Sequence, residues 1–338
     1  MSFIVAGAGV LGSWVALRLA ELGATVEIWD TSSKAPPREG ASLKAAAMLA
    51  PLSELDGIDV RVAVVGLKSL KLWKAAATRH QSWQTHLQQQ GTGAVAPMQE
   101  SAELQRLVAL VERLFPQLTP TPCASLSDGA DRFSNAVFFK DEAHLNPQGL
   151  LPQMHDTLQA MGVAVHWEKS WNEEKIPGRF IVDCRGLGAK RKNLRGVRGE
   201  MILLRAPQVN LPYPVRVLHP RCPLYIVPRG DNRYVLGATT IESEAKSAIT
   251  VQSALELLST AYAFHAGFGE ASVIDSWTAL RPAFCDNLPR IEVGDSVLRA
   301  NGLYRHGWTI APELARQIAG FLMEPAATER DGWLWNSP

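Results

Sequence analysis

The sequence predicts an α/β fold in two parts, a parallel βαβ part at the N-terminus and a mainly antiparallel part in the second half. The 338 residues correspond to about two domains at roughly 150 residues each. The first thirty residues have the pattern strand, glycine turn, helix, strand, which opens a parallel sheet. Residues 215–240 have the pattern of consecutive strands joined by short turns, and such neighbours are most simply antiparallel.

The remaining elements follow from apolar periodicity and from the turn residues between them. A strand is predicted at 3–6, a helix at 10–22 and a second strand at 25–29. Further helices are predicted at about 60–90, 101–115, 146–162, 251–264 and 311–323, and further strands at 163–167, 180–182, 197–204 and 273–277. Ser101 is predicted as an N-cap, and Asn146 as a cap before a proline in the first turn.

Composition excludes several classes of protein. The 34 Lys and Arg residues against 33 Asp and Glu residues give a net charge of +1, which argues against nucleic-acid binding. Hydrophobic residues at 46% support a large core, and no uninterrupted apolar run approaches the ~18 residues of a membrane span. The four cysteines are scattered and the eight histidines lack metal-ligand spacing, so we expect a cytoplasmic protein without a metal site.

The glycine turn has the G-x-G-x-x-G spacing of a dinucleotide site, formed by Gly7, Gly9 and Gly12. The first glycine allows a tight turn, the second lets a pyrophosphate approach the backbone, and the third permits close helix–strand packing. Asp30 ends the second strand, where its carboxylate can accept hydrogen bonds from ribose hydroxyls. The fingerprint by itself suits either NAD or FAD, and a glycine-rich turn without a ligand is the plain alternative.

Several blocks beyond the fingerprint carry a family resemblance. They are residues 41–42 (AS), 45–51 (AAAMLAP), 197–200 (VRGE), 224–229 (LYIVPR), 237–239 (GAT), 280–282 (LRP) and 302–307 (GLYRHG). In this order and over most of the chain, they resemble the D-amino acid oxidase family of FAD-dependent oxidoreductases. Within that family the chain is most similar to the glycine oxidase branch of thiamine biosynthesis.

The resemblance implies two intertwined domains. A Rossmann-like FAD-binding domain with a parallel sheet would consist of residues 1–60, 141–196 and 282–338. It would be interleaved with an α+β substrate domain on a mainly antiparallel sheet, residues 61–140 and 197–281. The implied reaction is oxidative deamination of glycine or a similar small amine to the imine, then to glyoxylate and ammonia, with O2 reduced to H2O2. The FAD would be non-covalent, no side chain would be a catalytic base, and the chain would form a homo-oligomer.

The resemblance also implies the site residues. Arg281 matches the arginine that holds the substrate carboxylate, a task suited to the two parallel hydrogen bonds of a guanidinium. Tyr225 matches a tyrosine that binds the same carboxylate, and Arg305 matches a second arginine near the flavin and the substrate. Thr240 matches a substrate-pocket position at which the glycine oxidase branch is expected to have an apolar side chain. The implied cofactor-binding residues are Gly7, Gly9, Gly12, Asp30, Ala45, Ala46, Met48, Gly186, His306, Gly307, Trp308 and Thr309.

Several alternatives stay open at this point. A D-amino acid or sarcosine oxidase, or a dehydrogenase that uses a quinone, would share nearly all the motifs, and a non-catalytic FAD-binding assembly protein would share the cofactor site. Without the family resemblance, Arg281 would be interpreted as a surface residue in a salt bridge, and Tyr225 would be interpreted as a core residue. Ala47 stands where the family commonly has glycine, so a positive φ there would strain it. For Glu200 we favour a structural role over that of a general base.

Overall fold

The computed structural model describes residues 1–33, 40–127, 133, 135–219 and 221–336. The helices are α1 (Val10–Glu21), α2 (Val60–Arg79), α3 (Gln81–Gln84), α4 (Ser101–Leu114), α5 (Pro147–Ala160), α6 (Val251–Phe264) and α7 (Gly307–Met323). The strands are β1 (Ser2–Ala6), β2 (Thr25–Trp29), β3 (Met48–Leu49), β4 (Leu87–Gln88), β5 (Thr92–Val95), β6 (Thr121–Cys123), β7 (Ala136–Phe139), β8 (Ala143–Leu145), β9 (Ala164–His166), β10 (Phe180–Asp183), β11 (Arg195–Arg205), β12 (Val215–Val217), β13 (Leu224–Pro228), β14 (Arg233–Gly237), β15 (Ser272–Ala283), β16 (Arg290–Val293), β17 (Val297–Asn301) and β18 (Trp335–Asn336).

The N-terminal strands lie in a largely parallel sheet. In the described part of the chain this sheet has seven strands in the order β18-β16-β17-β10-β1-β2-β9. Every neighbouring pair is parallel except β16 and β17, which are antiparallel. Helices α1, α2 and α7 pack together beside it and supply much of the largest apolar cluster. This arrangement confirms the parallel part of the predicted α/β fold.

A second, mainly antiparallel sheet forms the other part. Over the described residues it has eight strands in the order β15-β11-β14-β13-β12-β5-β7-β6, and only β5 and β12 pair in parallel. Its own core is a separate apolar cluster that includes Ile226, Leu236 and Phe264. The short strands β3, β8 and β4 form a third, antiparallel sheet. The predicted mixture of parallel and antiparallel parts is therefore confirmed.

Helix α7 keeps an interior proline because a tryptophan replaces the missing hydrogen bond. Pro312 has no N–H, so the carbonyl of Trp308, one turn earlier, lacks its helical donor. The indole Nε1 of Trp73 in α2 donates to that carbonyl at 2.9 Å, and the two indole rings stack with centroids 5.7 Å apart. The contact fixes the first turn of α7, which borders the site described below.

Some element boundaries differ from the sequence predictions. The helix predicted at 60–90 ends at Arg79, because Trp83 and Leu87 are buried and residues 87–88 pair with β8 instead. Ser101 is the first residue of α4 and Glu100 is its N-cap, so the predicted cap is wrong by one position. The domain boundaries stay a prediction, and α2 packs on α7 across the predicted boundary at residue 60. Among the described helices, none combines the length and apolar character needed to cross a bilayer.

Candidate active site

A cavity of about 1240 Å³ opens between the parallel sheet and the antiparallel sheet. Ligand pockets are typically about 300–1,000 Å³, so this one has room for a large cofactor together with a small second molecule. Twelve of the sequence-predicted site residues line it: Gly7, Gly9, Asp30, Ala45, Ala46, Met48, Gly186, Tyr225, Arg281, Arg305, Gly307 and Trp308. The fold therefore brings the predicted cofactor and substrate residues to one space.

The other four predicted residues lie elsewhere. Gly12 packs beneath the glycine turn, and Thr309 is buried, with its hydroxyl donating to the carbonyl of Met48 at 3.0 Å. His306 is buried just before α7. Thr240 is exposed to solvent and does not line the cavity.

The glycine turn fits the pyrophosphate of a dinucleotide. Gly7 has a φ of 105°, and a Cβ atom on Gly12 would lie 1.9 Å from the Gly7 carbonyl oxygen, so both positions require glycine. The N–H of Ala8 donates to Oδ2 of Asp30 at 2.6 Å, which ties the turn to the end of β2. The N-terminus of α1 opens on the cavity with its positive dipole end, the arrangement that binds phosphate. The N–H of Val10, at the first position of the helix, donates to Oγ of Ser42 at 3.1 Å.

The segment 42–48 is held by hydrogen bonds to its carbonyl groups. Five carbonyls accept from donors on other elements: Ser42 from Trp308 Nε1 (2.9 Å), Lys44 from Trp277 Nε1 (2.9 Å), Ala46 from Arg229 Nη2 (2.6 Å), Ala47 from the Leu145 N–H (2.9 Å) and Met48 from Thr309 Oγ1 (3.0 Å). These donors come from α7, from β15 and the end of β13 in the antiparallel sheet, and from β8 in the small third sheet. The small side chains of Ala45 and Ala46 line the cavity, so a planar ring system can approach the backbone here.

Ala47 has a left-handed backbone with a φ of 56°. That conformation costs an L-residue roughly 1–2 kcal/mol, and this explains why glycine suits the position. The methyl group of Ala47 is buried in the apolar cluster behind the segment, and its burial offsets part of that cost. The strain predicted from the departure at this position is therefore present.

Arg281 is a buried cation without an acidic partner. It is 8% exposed, and its Nη1 donates to the carbonyls of Thr239 at 3.0 Å and Arg198 at 3.4 Å. Among the described residues no carboxylate oxygen lies within 4 Å of the guanidinium. The guanidinium lies against Gly199, where a Cβ atom would come within 2.3 Å of Nη2. Burial lowers the pKa of Arg281 and Tyr225 opposes that shift. Because a guanidinium stays protonated in proteins, the side chain suits an incoming carboxylate.

Tyr225 shares this part of the cavity as a neutral phenol. Burial raises its pKa, while the positive charges of Arg281 and Arg305 lower it. The ring packs over Gly237, its partner in the β13–β14 register, where a Cβ atom would lie 2.9 Å from Cε2. A protonated hydroxyl beside a buried guanidinium can donate a second hydrogen bond to a bound carboxylate.

Glu54 is a cavity residue that the sequence prediction missed. Its Oε1 lies 3.6 Å from Nη2 of Arg305 and its Oε2 lies 3.5 Å from Nδ1 of His306. Burial opposes the charge of Arg305, but Glu54 together with Tyr225, Tyr304 and Asp56 raises the pKa of the guanidinium above its usual value. Burial lowers the pKa of His306 to about 4 despite the carboxylate, so the imidazole is neutral at pH 7. The only sequence signal for Glu54 was its place three residues after the AAAMLAP block.

The buried pair of Arg198 and Glu200 supports a structural role for Glu200. Nε of Arg198 donates to Oε1 of Glu200 at 2.9 Å, and both side chains are inaccessible. The guanidinium also donates to the carbonyls of Ala245 and Ala248, each at 2.6 Å. Neither residue lines the cavity. The pair therefore anchors the segment before α6 to β11.

Comparison with known proteins places this architecture in a family. The chain matches the sequence profile of the DAO family, FAD dependent oxidoreductases, over residues 2–320. It is 38% identical over 330 residues to the protein named thiamine biosynthesis oxidoreductase ThiO from Rhizobium etli, covering 96% of this chain and 97% of that protein.

Two solved structures share its fold at low sequence identity. Glycine oxidase from Geobacillus kaustophilus has a TM-score of 0.81 and 21% identity, covering 97% of this chain and 95% of that chain. Iminodiacetate oxidase from Chelativorans sp. BNC1 has a TM-score of 0.80 and 20% identity, covering 100% and 99%. The family match confirms the resemblance carried by the sequence blocks: the chain belongs to the DAO family of FAD-dependent oxidoreductases.

Proposed function

We propose that this FAD-dependent enzyme oxidises glycine or a similarly small amine and that its product serves thiamine biosynthesis. The observation that carries the proposal is the buried guanidinium of Arg281, which lies beside Tyr225 in the same cavity as the glycine turn. Among the described residues it has no carboxylate partner. A site of this kind suits a small molecule with a carboxylate. The name of the Rhizobium etli relative supports the link to thiamine.

The side chains bind and orient the substrate. Arg281 would hold the carboxylate through charge-assisted hydrogen bonds, and the Tyr225 hydroxyl would donate a further one. Holding the carboxylate at these two points fixes the position of the α-carbon in the cavity. FAD, when bound by the glycine turn, Asp30 and the segment 42–48, supplies two-electron acceptor chemistry.

The reaction balances without a side-chain base. The substrate enters with a neutral amine. It loses a hydride from the α-carbon to the two-electron acceptor that FAD would supply and a proton from nitrogen to water, which leaves the imine. Water adds to the imine and ammonia leaves, giving glyoxylate from glycine. His306 is neutral at pH 7, and its imidazole contacts Glu54 rather than the cavity. Molecular oxygen is the proposed final acceptor, reduced to H2O2.

The proposal also covers the domain boundaries, the location in the cell and the oligomeric state. The FAD-binding domain would comprise residues 1–60, 141–196 and 282–338, and the substrate domain residues 61–140 and 197–281. The protein would act in the cytoplasm and would form a homo-oligomer. Sedimentation of the purified protein measures its oligomeric state directly.

Anaerobic reduction of the holoenzyme tests the proposal. Purified protein should be yellow, and glycine should bleach the 450 nm flavin band more efficiently than sarcosine or D-alanine. In air, glycine should consume oxygen and form an equal amount of H2O2. Bleaching by sarcosine or D-alanine alone would assign another oxidase of the family, and bleaching without peroxide would assign a dehydrogenase. A flavin that no small amine reduces would indicate a non-catalytic FAD-binding protein.

A further inference from the structure

Two of the four arginines that line the cavity, Arg281 and Arg305, are close enough to Tyr225 to lower its pKa, and of these two only Arg305 has a carboxylate partner among the described residues. Glu54 lies 3.6 Å from Nη2 of Arg305, whereas over the described residues no carboxylate lies within 4 Å of the Arg281 guanidinium. The Arg305 side chain is 29% exposed and that of Glu54 is 13% exposed, so the pair faces the cavity from its wall. Arg281 is therefore the buried cation beside Tyr225 that is left to bind an anion.

These charges share one small space. Burial has the largest effect on the pKa of Tyr225 and raises it. The positive charges of Arg281 and Arg305 lower this pKa, and the negative charge of Glu54 raises it. The pKa of Arg281 is likewise lowered by Arg305 after burial. A molecule held by Arg281 and Tyr225 thus lies within electrostatic reach of both members of the Arg305–Glu54 pair.

The backbone on both sides of Glu54 is fixed. Ser53 donates to Glu142 from its N–H at 2.8 Å and from its hydroxyl at 2.7 Å, and the Glu142 side chain is 1% exposed. Arg216 donates to the Ser53 carbonyl and to Oδ1 of Asp56, the latter at 2.5 Å. The hydrogen bonds of Ser53 to Glu142 and of Arg216 to Ser53 and Asp56 therefore hold the backbone around Glu54, with its carboxylate beside Arg305.

We propose that Glu54 is a specificity-determining residue that restricts the site to amines with a single carboxylate. The proposal rests on the function proposed above and deepens it. The other cation close to Tyr225 is Arg305, and a second substrate carboxylate that approaches it meets the negative charge of Glu54. Displacing Glu54 would leave a buried carboxylate unpaired, so either arrangement disfavours amino and imino dicarboxylates. Glycine and other monocarboxylates meet no such repulsion.

Binding of acetate and malonate to the oxidised holoenzyme tests this inference without turnover. Both anions are fully ionised at pH 8, and they differ by the second carboxylate. Their dissociation constants come from the change in flavin absorbance on titration. We expect the wild-type protein to bind malonate at least tenfold more weakly than acetate. In Glu54→Gln the ratio of the malonate constant to the acetate constant should fall at least tenfold, about 1.4 kcal/mol.

Two control variants accompany the measurement. Glu54→Asp keeps the negative charge and should keep a ratio above that of Glu54→Gln. Glu103→Gln removes a charge from an ion pair with Arg106 on α4, outside the cavity, and should leave the ratio as in the wild type.

Specific results overturn the inference. Wild-type protein that binds malonate as tightly as acetate contradicts it, and this result stands even if Glu54→Gln does not fold. An equal ratio in wild type and a folded Glu54→Gln also contradicts it. Failure of every amine to reduce the flavin would reject the proposed function, but the binding ratio would still be measured. The two failures are therefore distinguishable.

Discussion

Replacing Arg281 tests the substrate site most directly, and the structure sets the expected size of the effect. Nη1 already donates to two backbone carbonyls, so a bound carboxylate would receive about two charge-assisted hydrogen bonds. Each contributes roughly 1.5–3 kcal/mol. Losing both in Arg281→Met should cost at least about 3 kcal/mol, on the order of a 100-fold weaker carboxylate affinity. Arg281→Lys keeps the charge without the planar fork and should lose roughly tenfold.

The assay separates binding from folding. Acetate titration of the flavin spectrum gives the affinity, and oxygen uptake with glycine gives kcat/KM. FAD content and Tm show whether each variant is intact. Arg205→Met is a matched control, because Arg205 is an exposed arginine at the end of β11 and lies outside the cavity. An Arg281→Met protein that retains FAD and binds acetate within threefold of the wild type would refute the assignment of Arg281 to the substrate carboxylate.

Three further predictions follow from local geometry. Gly12→Ala should lose most of its FAD, measured as the 450 to 280 nm absorbance ratio, because its Cβ would lie 1.9 Å from the Gly7 carbonyl; full occupancy would contradict this. Ala47→Gly should change the unfolding free energy by less than about 1 kcal/mol, since relief of the positive φ offsets the lost methyl burial and the added chain entropy, whereas Ala47→Val should be clearly destabilising in the same denaturant titration. Burial raises the pKa of Glu142 from 4.5 to about 7, so the folded protein binds a proton there that the unfolded chain has released, and stability falls as pH rises through that window. Glu142→Gln should therefore lose less Tm between pH 4.5 and 7 than the wild type, and an equal loss would reject the assignment.

Elements defined by local pattern could be predicted from the sequence. The strand at 25–29 and the helix at 251–264 coincide with β2 and α6, because apolar periodicity and turn residues mark both ends. The prediction of one helix at 60–90 was wrong because the second half of this segment packs against distant parts of the chain. Trp83 and Leu87 are buried among residues distant in sequence, and that packing overrides local helix propensity.

Glu54 could not be predicted because its role arises from contacts made by distant residues. Its partners Arg305 and His306 precede α7, some 250 residues later in the chain. The groups that fix its neighbour Ser53 are Glu142 and Arg216, from two further segments. These positions are so far apart in the sequence that no spacing pattern predicts their contact. Only the folded arrangement of the sheets brings the segments together.

The proximity of Arg281 and Tyr225 depends on two glycines as much as on the residues themselves. Arg281 is on β15 and Tyr225 on β13, and β11 and β14 lie between them in the sheet. Side chains on the same face of the two intervening strands would separate them. The guanidinium instead lies over Gly199 of β11 and the phenol over Gly237 of β14, where a Cβ atom would come within 2.3 Å and 2.9 Å of them. Both glycines belong to sequence blocks that carried the family resemblance. A sequence match at Gly199 and Gly237 therefore indicates the space that the substrate site needs, in addition to the side chains that bind the substrate.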